Sequence, residues 1–292
     1  MATISMDLVK KLREKTQVGM MDCKKALEQA NGDMEKAIEI LRKKGTAVAT
    51  KRADNVTNNG RVECWVAPDF KTSALVEIAC ETDFSANTKD MLDFATHVAE
   101  VVAKTQVTDP ATILTQKSHK NAPLTIQDHL NELLAKIAEN IKISRTALFK
   151  ASDKGLINTY IHPGSSIGVM VELEADKLLK TTEELKTAAR DLCMQIAVTK
   201  PLAVKPENLD PALIEKERAI AQEQLKSSNK PPQIIEKIVE GKLNKFYEEV
   251  CLLNQLFIKN DKITVAQYLK EASTKAGATV MVKQFVRFGI GR

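Results

Sequence analysis

The stretch SALVEIACETDFS, residues 73–85, decides the fold because it contains a strand pattern with an unusual end. Small and apolar residues run up to Cys80 and predict a β-strand. An acid and Phe84 follow, outside the strand pattern, although aromatic residues make up only 4% of the chain. From these residues alone, the interpretation that Phe84 caps the edge of the sheet is favoured over a role in binding.

The strand pattern occurs twice in the chain. VMVELEAD, residues 169–176, is similar to ALVEIACE, residues 74–81. In each half a strand and a turn come before this segment, and helices and a closing strand come after it. The other predicted strands are RVECWVAP (61–68), KISRTALFK (142–150), GLINTYIH (155–162) and ATVMVKQFVRFGI (278–290). The sequence therefore predicts an α+β fold with two related subdomains, each a small antiparallel sheet covered by helices.

Three short helical patterns fill residues 5–45. Asp33 can cap the third of them, which is predicted to stop at Gly45. Three helices in so few residues predict a compact docking module rather than a catalytic unit. Met20 and Met21 are adjacent at the start of the second helix, so at least one is expected at the surface, where methionine adapts well to a partner. The pattern equally favours the alternative that both fill the core of the bundle.

Changes in composition divide the chain into units. The segment after the third helix is small, polar and basic with an Asn-Asn-Gly turn, which predicts a linker whose first half can extend that helix. Later, a charged helix with one thin apolar stripe lies between KPENLDP and SSNKPP, which predicts a projecting insertion. Two interpretations are equally favoured: that the chain self-associates through this helix, and that the helix projects into solvent. The predicted units are a three-helix module (1–46), a linker (47–60), a first core subdomain (61–150), the first part of a second (151–205), a helical hairpin insertion (206–231) and the rest of the second (232–292).

Composition restricts the class of protein. The chain has 292 residues and is 43% hydrophobic, which is ordinary for a globular protein with more than one domain. No apolar run approaches the ~20 residues that span a bilayer, and the amphipathic start excludes a secretory signal, so a cytoplasmic protein with no membrane partner is expected. Scattered cysteines without a CxxC pair predict small buried hydrophobes rather than disulfides or zinc ligands.

Motifs for chemistry are missing from the sequence. The histidines have no metal-binding spacing, the loop HPGSSIG lacks the GK[ST] of a phosphate loop, and there is no GxSxG or dinucleotide fingerprint. We therefore expect no catalytic residue, no metal and no cofactor. The net charge of +5 is spread over helix faces and aromatic residues are sparse, so no direct nucleic-acid binding is expected. The histidines that lack metal-binding spacing are His97, His119, His129 and His162. Of the classes considered, a protein-binding function fits best.

Four long motifs resemble the bacterial elongation factor Ts family in the family's order. They are LVKKLREKTQVGMMDCKKALEQANGDMEKAIEILRKKG (8–45), VEIACETDF (76–84), IAENIKISR (137–145) and KPPQIIEKIVEGKLNKF (230–246). The resemblance implies a guanine-nucleotide exchange factor for the translational GTPase elongation factor Tu. It also implies a three-helix module of ubiquitin-associated type, a core of two related subdomains and an inserted helical hairpin.

The resemblance also implies roles for single residues. Arg13, Met20 and Met21 match positions that dock on the GTPase domain of the partner. The TDF motif matches Thr82, Asp83 and Phe84, which would intrude near the partner's magnesium and phosphate-binding loop.

Two positions of this sequence depart from the family's pattern. The family usually reads TDFVA, whereas Ser85 follows here within the partner-binding loop, which predicts a weaker apolar footing. His162 matches a position that meets the partner, but Pro163 stands where the family has glycine.

Overall fold

The computed structural model describes residues 4–118, 124–178, 183–225 and 231–291, so His119 and the end of the predicted insertion helix (226–228) lie outside the described residues. The helices are α1 (Met6–Thr16), α2 (Met20–Gln29), α3 (Met34–Arg52), α4 (Asp83–Ala86), α5 (Lys89–Thr105), α6 (Pro110–Leu114), α7 (Ile126–Ile137), α8 (Glu183–Thr199), α9 (Pro211–Glu223), α10 (Pro232–Val250) and α11 (Val265–Ala276). The strands are β1 (Asn59–Val66), β2 (Thr72–Cys80), β3 (Lys142–Lys150), β4 (Gly155–Ile161), β5 (Ile167–Ala175), β6 (Leu256–Phe257), β7 (Asn260–Thr264) and β8 (Val280–Gly289). None of the helices in these ranges is both long enough and apolar enough to cross a bilayer.

Two antiparallel sheets with the orders β1-β2-β3 and β4-β5-β8 confirm the predicted α+β fold with two related subdomains. The two similar segments are the central strands, β2 and β5. Each carries a buried glutamate at the position where the closing strand bulges. Glu77 pairs with Arg145 at 2.7 Å, and Glu172 pairs with Lys283 at 2.9 Å. The repeat therefore extends from the strand pattern to an ion pair whose carboxylate is buried.

The two sheets pack face to face through an apolar cluster to which each strand contributes one buried residue. A glycine permits the close approach, because a Cβ added at Gly168 would lie 2.4 Å from Cγ1 of Val62. Helices α5 and α7 cover the outer face of the first sheet, and α8 and α11 cover that of the second. The core is thus layered helix, sheet, sheet, helix. The residues between the sheets are Val62, Leu75, Phe149, Ile157, Met170 and Phe288.

The N-terminal helices α1, α2 and α3 form a bundle that packs on α7, whose Ala135 belongs to the same apolar cluster. The third helix does not stop at Gly45, since α3 continues to Arg52, and this confirms the prediction that the first half of the following segment extends it. A Cβ at Gly45 would lie 1.9 Å from the carbonyl oxygen of Asn131 in α7. The glycine therefore serves the crossing of two helices rather than the end of one.

Helices α9 and α10 pack against each other and form the inserted hairpin. Ala221 of α9 contacts a cluster with Val239 and Leu243 of α10, so the apolar stripe predicted for the insertion is covered within the chain. The hairpin accordingly runs past the predicted boundary at residue 231 and includes α10. The remaining predicted domain boundaries stay predictions.

Candidate partner-binding site

A single helical turn, α4, follows β2 and carries the exposed aromatic residue. Thr82 caps the turn, because its Oγ1 accepts the N–H of Ser85 at 3.2 Å. The carboxylate of Asp83 accepts the N–H of Phe84 at 2.9 Å. Ser85 and Ala86 are buried on the inner side of the turn, while Asp83 and Phe84 face solvent.

The Phe84 side chain is 81% exposed, the largest exposed fraction among the large apolar side chains of the described residues. The interpretation from residues alone, that Phe84 caps the edge of the sheet, is therefore wrong. Burial of a phenylalanine is worth ~1.5–3 kcal/mol, and this molecule leaves that contribution unused. The ring is thus available for contact with a partner.

The carboxylate of Glu139, in the connection from α7 to β3, holds this turn from below. Its Oε1 accepts the Oγ1–H of Thr82 and the Oγ–H of Ser85, both at 2.7 Å. Its Oε2 accepts the backbone N–H of Thr82 at 3.1 Å. Ser85 is only 3% exposed, so the predicted weak apolar footing is replaced by a polar anchor.

A second carboxylate, Glu81, joins the start of the loop to the N-terminal module. It accepts the backbone N–H of Asn140 at 2.6 Å, the side-chain amide of Asn55 at 3.0 Å, and the guanidinium of Arg52 at 3.0–3.1 Å. The pKa of Glu81 is lowered, first by the Asn140 N–H and further by Arg52 and Asn55. Because Arg52 ends α3, the helix of the module reaches the base of the loop.

Arg61 in β1 connects the loop to the turn that carries His162. Its guanidinium donates to the carbonyl oxygen of Ala86 at 2.8 Å and to Oγ of Ser165 at 3.1 Å, and the residue is 7% exposed. His162 is exposed at the start of that turn, and its Nδ1 lies 3.0 Å from the hydroxyl of Tyr160. Arg61 thus joins the loop to the turn that carries His162.

The predicted docking residues lie on the module. Arg13 is exposed and Met21 is 64% exposed, whereas Met20 is half-buried against the bundle core. The expectation that at least one methionine is at the surface is confirmed. In the part of the chain that the structure describes, no hydrogen bond or ion pair joins these three side chains to the loop.

The thiol of Cys80 lies at the base of the loop and donates to the carbonyl oxygen of Thr82 at 3.1 Å. Burial, together with the nearby carboxylate of Glu139, raises the pKa of this thiol to about 11. Cys80 is therefore a neutral hydrogen-bond donor near neutral pH rather than a nucleophile. Among the described residues, no group of three or more His, Cys, Asp and Glu side chains is arranged to hold a metal.

Sequence reasoning missed three residues of the site: Arg61, Glu81 and Glu139. Glu139 lies within the motif IAENIKISR, yet an acid in a polar connection after a helix resembles any solvated acid. Its three donors come from a segment more than fifty residues earlier in the chain. Only the tertiary contact reveals that it has partners.

The fold and the site define a protein-binding factor, with a helical module and a separate, braced loop that exposes an aromatic residue. Comparisons with known proteins agree with this class. The family model described as Elongation factor TS matches residues 81–292. Elongation factor Ts of Clostridium botulinum (strain Eklund 17B / Type B) is 42% identical over 288 residues, which cover 99% of this chain and 93% of that protein. Elongation factor Ts of Nautilia profundicola is 43% identical over 295 residues, which cover 100% of this chain and 94% of that protein.

These matches cover nearly the whole chain at an identity that shows common descent. The chain belongs to the elongation factor Ts family. Its resemblance to that family, first indicated by four motifs, is confirmed. The protein is therefore an elongation factor of translation.

Proposed function

We propose that this chain is the nucleotide-exchange factor for elongation factor Tu and that the loop of residues 82–85 releases GDP by disturbing the partner's magnesium and phosphate site. Family membership supports the exchange function. The observation that supports the role of the loop is the 81% exposed ring of Phe84 on a turn that is bonded to the core. No chemical reaction on the nucleotide is required of this chain.

The energetics of the proposal rest on burial of one side chain. GTPases hold their nucleotide with backbone N–H groups of a glycine-rich loop and with a magnesium ion that bridges protein and phosphate oxygens. Entry of Phe84 into an apolar crevice of the partner supplies about 2–3 kcal/mol. Each ~1.4 kcal/mol of net coupling changes the affinity for the nucleotide tenfold. A few such contacts are enough to speed release appreciably.

Asp83 acts beside the ring in this proposal. Its carboxylate is exposed and is bonded to the N–H of Phe84, so it enters the partner together with the ring. A negative charge near the bound cation would disturb the water and side chains around it. The coupling is reciprocal, so the factor weakens GDP and GTP in the same manner and does not select between them.

Docking is assigned to other residues. Arg13, Met20 and Met21 would bind the GTPase domain, and His162 would contact the partner from the turn that Arg61 ties to the loop. The exposed Met21 supplies an adaptable apolar contact. Affinity and acceleration would thus arise from different parts of the molecule.

Release of fluorescently labelled GDP from elongation factor Tu tests the loop. Phe84→Ala and Asp83→Ala should each slow release about tenfold or more at saturating concentrations, since each removes a contact made only in the complex. Ile234→Ala removes an apolar side chain that is 47% exposed on α10 and serves as the control, with an unchanged rate expected. Wild-type rates in both loop variants would refute the proposal.

Two further assignments complete the proposal. The factor acts in the cytoplasm, where translation elongation takes place. Self-association through the predicted 206–231 insertion stays a prediction, although α10 already covers much of the apolar stripe that suggested it. Sedimentation velocity over a range of concentrations tests it, with a rise in sedimentation coefficient as the supporting result.

A further inference from the structure

We propose that Glu139 is a positioning residue for nucleotide exchange, which acts by holding α4 so that Phe84 points outward. This inference rests on the proposed function of the loop. Glu139 itself would make no contact with the nucleotide site. It acts through Thr82 and Ser85, the two residues that flank Asp83 and Phe84.

The geometry of the carboxylate carries the inference. One side chain accepts three hydrogen bonds, two from Thr82 and one from Ser85, at 2.7–3.1 Å. The residues on either side of the exposed pair are therefore bonded to the same group. Bonds to an ionised acceptor are stronger than bonds between neutral groups. The turn cannot rotate about its axis without breaking at least one of them.

The shape of the chain brings Glu139 to this place. Helix α7 ends at Ile137, and Ala138 adopts a left-handed conformation with φ of 58°. This residue redirects the backbone so that the next side chain leaves the helix and lies under α4. Asn140 then donates its N–H to Glu81, which secures the connection on its other side.

The turn needs such an anchor because it is too short to be stable alone. A four-residue helix does not recover the cost of helix nucleation in water. Ser85 and Ala86 are buried, and the carbonyl oxygen of Ala86 accepts from Arg61 at 2.8 Å. The clamp, the three bonds to Glu139 at the start of the turn, and the bond from Arg61 at its end hold α4 with Phe84 on the side away from the core. Such preorganisation lowers the cost of ordering the loop when, after docking, it enters the nucleotide site.

Kinetics of labelled-GDP release from elongation factor Tu test the role. In Glu139→Ala the saturating rate, kcat, should fall about tenfold, the equivalent of about one hydrogen bond to a charged group. The concentration for half-maximal rate, KM, should change less than twofold (about 0.4 kcal/mol), because the docking module is intact. Glu139→Gln keeps an oxygen for the two hydroxyl groups but places its NH2 opposite the N–H of Thr82, so it should recover only part of the rate.

Serine variants provide a matched pair. Ser85→Ala removes one bond of the clamp and should lower kcat several-fold. Ser152→Ala removes the same kind of bond in the second subdomain, where the Oγ–H donates to Oε1 of Glu174 at 3.1 Å, and should leave kcat unchanged. If Glu139→Ala does not fold, Ser85→Ala against Ser152→Ala carries the test.

A double variant separates this inference from the proposal on which it rests. Glu139→Ala should have no further effect on kcat in a Phe84→Ala background. In the free protein, amide hydrogen exchange at residues 84–87 should be faster in Glu139→Ala. A loss of rate in Phe84→Ala without a loss in Glu139→Ala, or unchanged amide exchange, overturns the inference alone. A full rate in Phe84→Ala overturns both.

Discussion

Phe84 and Ser85 are neighbours in the chain and have opposite environments. The ring is in water and the hydroxyl is buried, because a helical turn of four residues has room for an inner and an outer side. Glu139 selects which side is inner by accepting from Thr82 and Ser85. At the scale of single residues, the candidate site therefore depends on carboxylates that the partner never has to meet.

Glu81 makes the region sensitive to acid. Its folded-state pKa lies below the ordinary value of 4.5, so its stabilisation is complete above that value and is lost as the pH falls through the folded pKa. Glu81→Gln should lose less stability than the wild type between about pH 5 and pH 3. Thermal unfolding across this range checks the prediction. Equal losses in the two proteins would contradict it.

At the scale of elements, α3 belongs to two units of the molecule. Its first turns pack in the N-terminal bundle, its middle crosses α7 at Gly45, and its last residue, Arg52, reaches Glu81. An ion pair between Arg42 and Glu132 at 2.7 Å adds to the crossing. The N-terminal bundle is therefore connected to the loop by a continuous helix rather than by a flexible tether.

Two glycine substitutions in helices should have opposite effects on stability. Gly45→Ala places a Cβ against the backbone of Asn131 and should lower the free energy of unfolding by about 2–3 kcal/mol. Gly241→Ala in α10 has nothing within 4 Å and should raise it by about 1 kcal/mol, the difference in helix propensity. Urea denaturation of both variants measures the sign. A stabilised Gly45→Ala protein would show that α3 and α7 do not cross closely.

At the scale of the whole molecule, the proposed docking surface and the loop lie on different parts of the structure. The loop follows β2 of the first sheet, and Met21 belongs to the N-terminal bundle that packs against α7. Arg61 of the first sheet bonds to the turn that carries His162, and this turn joins two strands of the second sheet. This division predicts that affinity and maximal rate can be changed separately.

Met21→Ala should separate them. It should raise the concentration needed for half-maximal GDP release about tenfold, because a buried methionine is worth about 1.5–3 kcal/mol, and it should keep the saturating rate. Met281→Ala removes a methionine that is 50% exposed in β8 and should change neither quantity. If saturating amounts of Met21→Ala cannot restore the rate, docking and acceleration are not separate.

Much of the fold could be predicted from local patterns. The mainly apolar runs ALVEIACE and VMVELEAD predict the central strands, and their similarity predicts two related subdomains. The same patterns misplaced the end of the third helix at Gly45, because a glycine that ends a helix and one that lets two helices cross look alike in sequence. The second arm of the hairpin was also missed, since only packing shows which helix covers the stripe on α9.

The succession of strands along the chain, the presence of an N-terminal helical bundle and the unusual place of Phe84 follow from residue types and spacing alone, since these depend on neighbours a few positions apart. The outward direction of that ring and the partners of Glu81, Arg61 and Glu139 were decided by the tertiary structure. These carboxylates and this guanidinium bond to partners that lie 25 to more than 100 positions away in the sequence. Several of those partners belong to the single helical turn α4. Such bonds form only after the sheets and helices have packed, so no local pattern contains them.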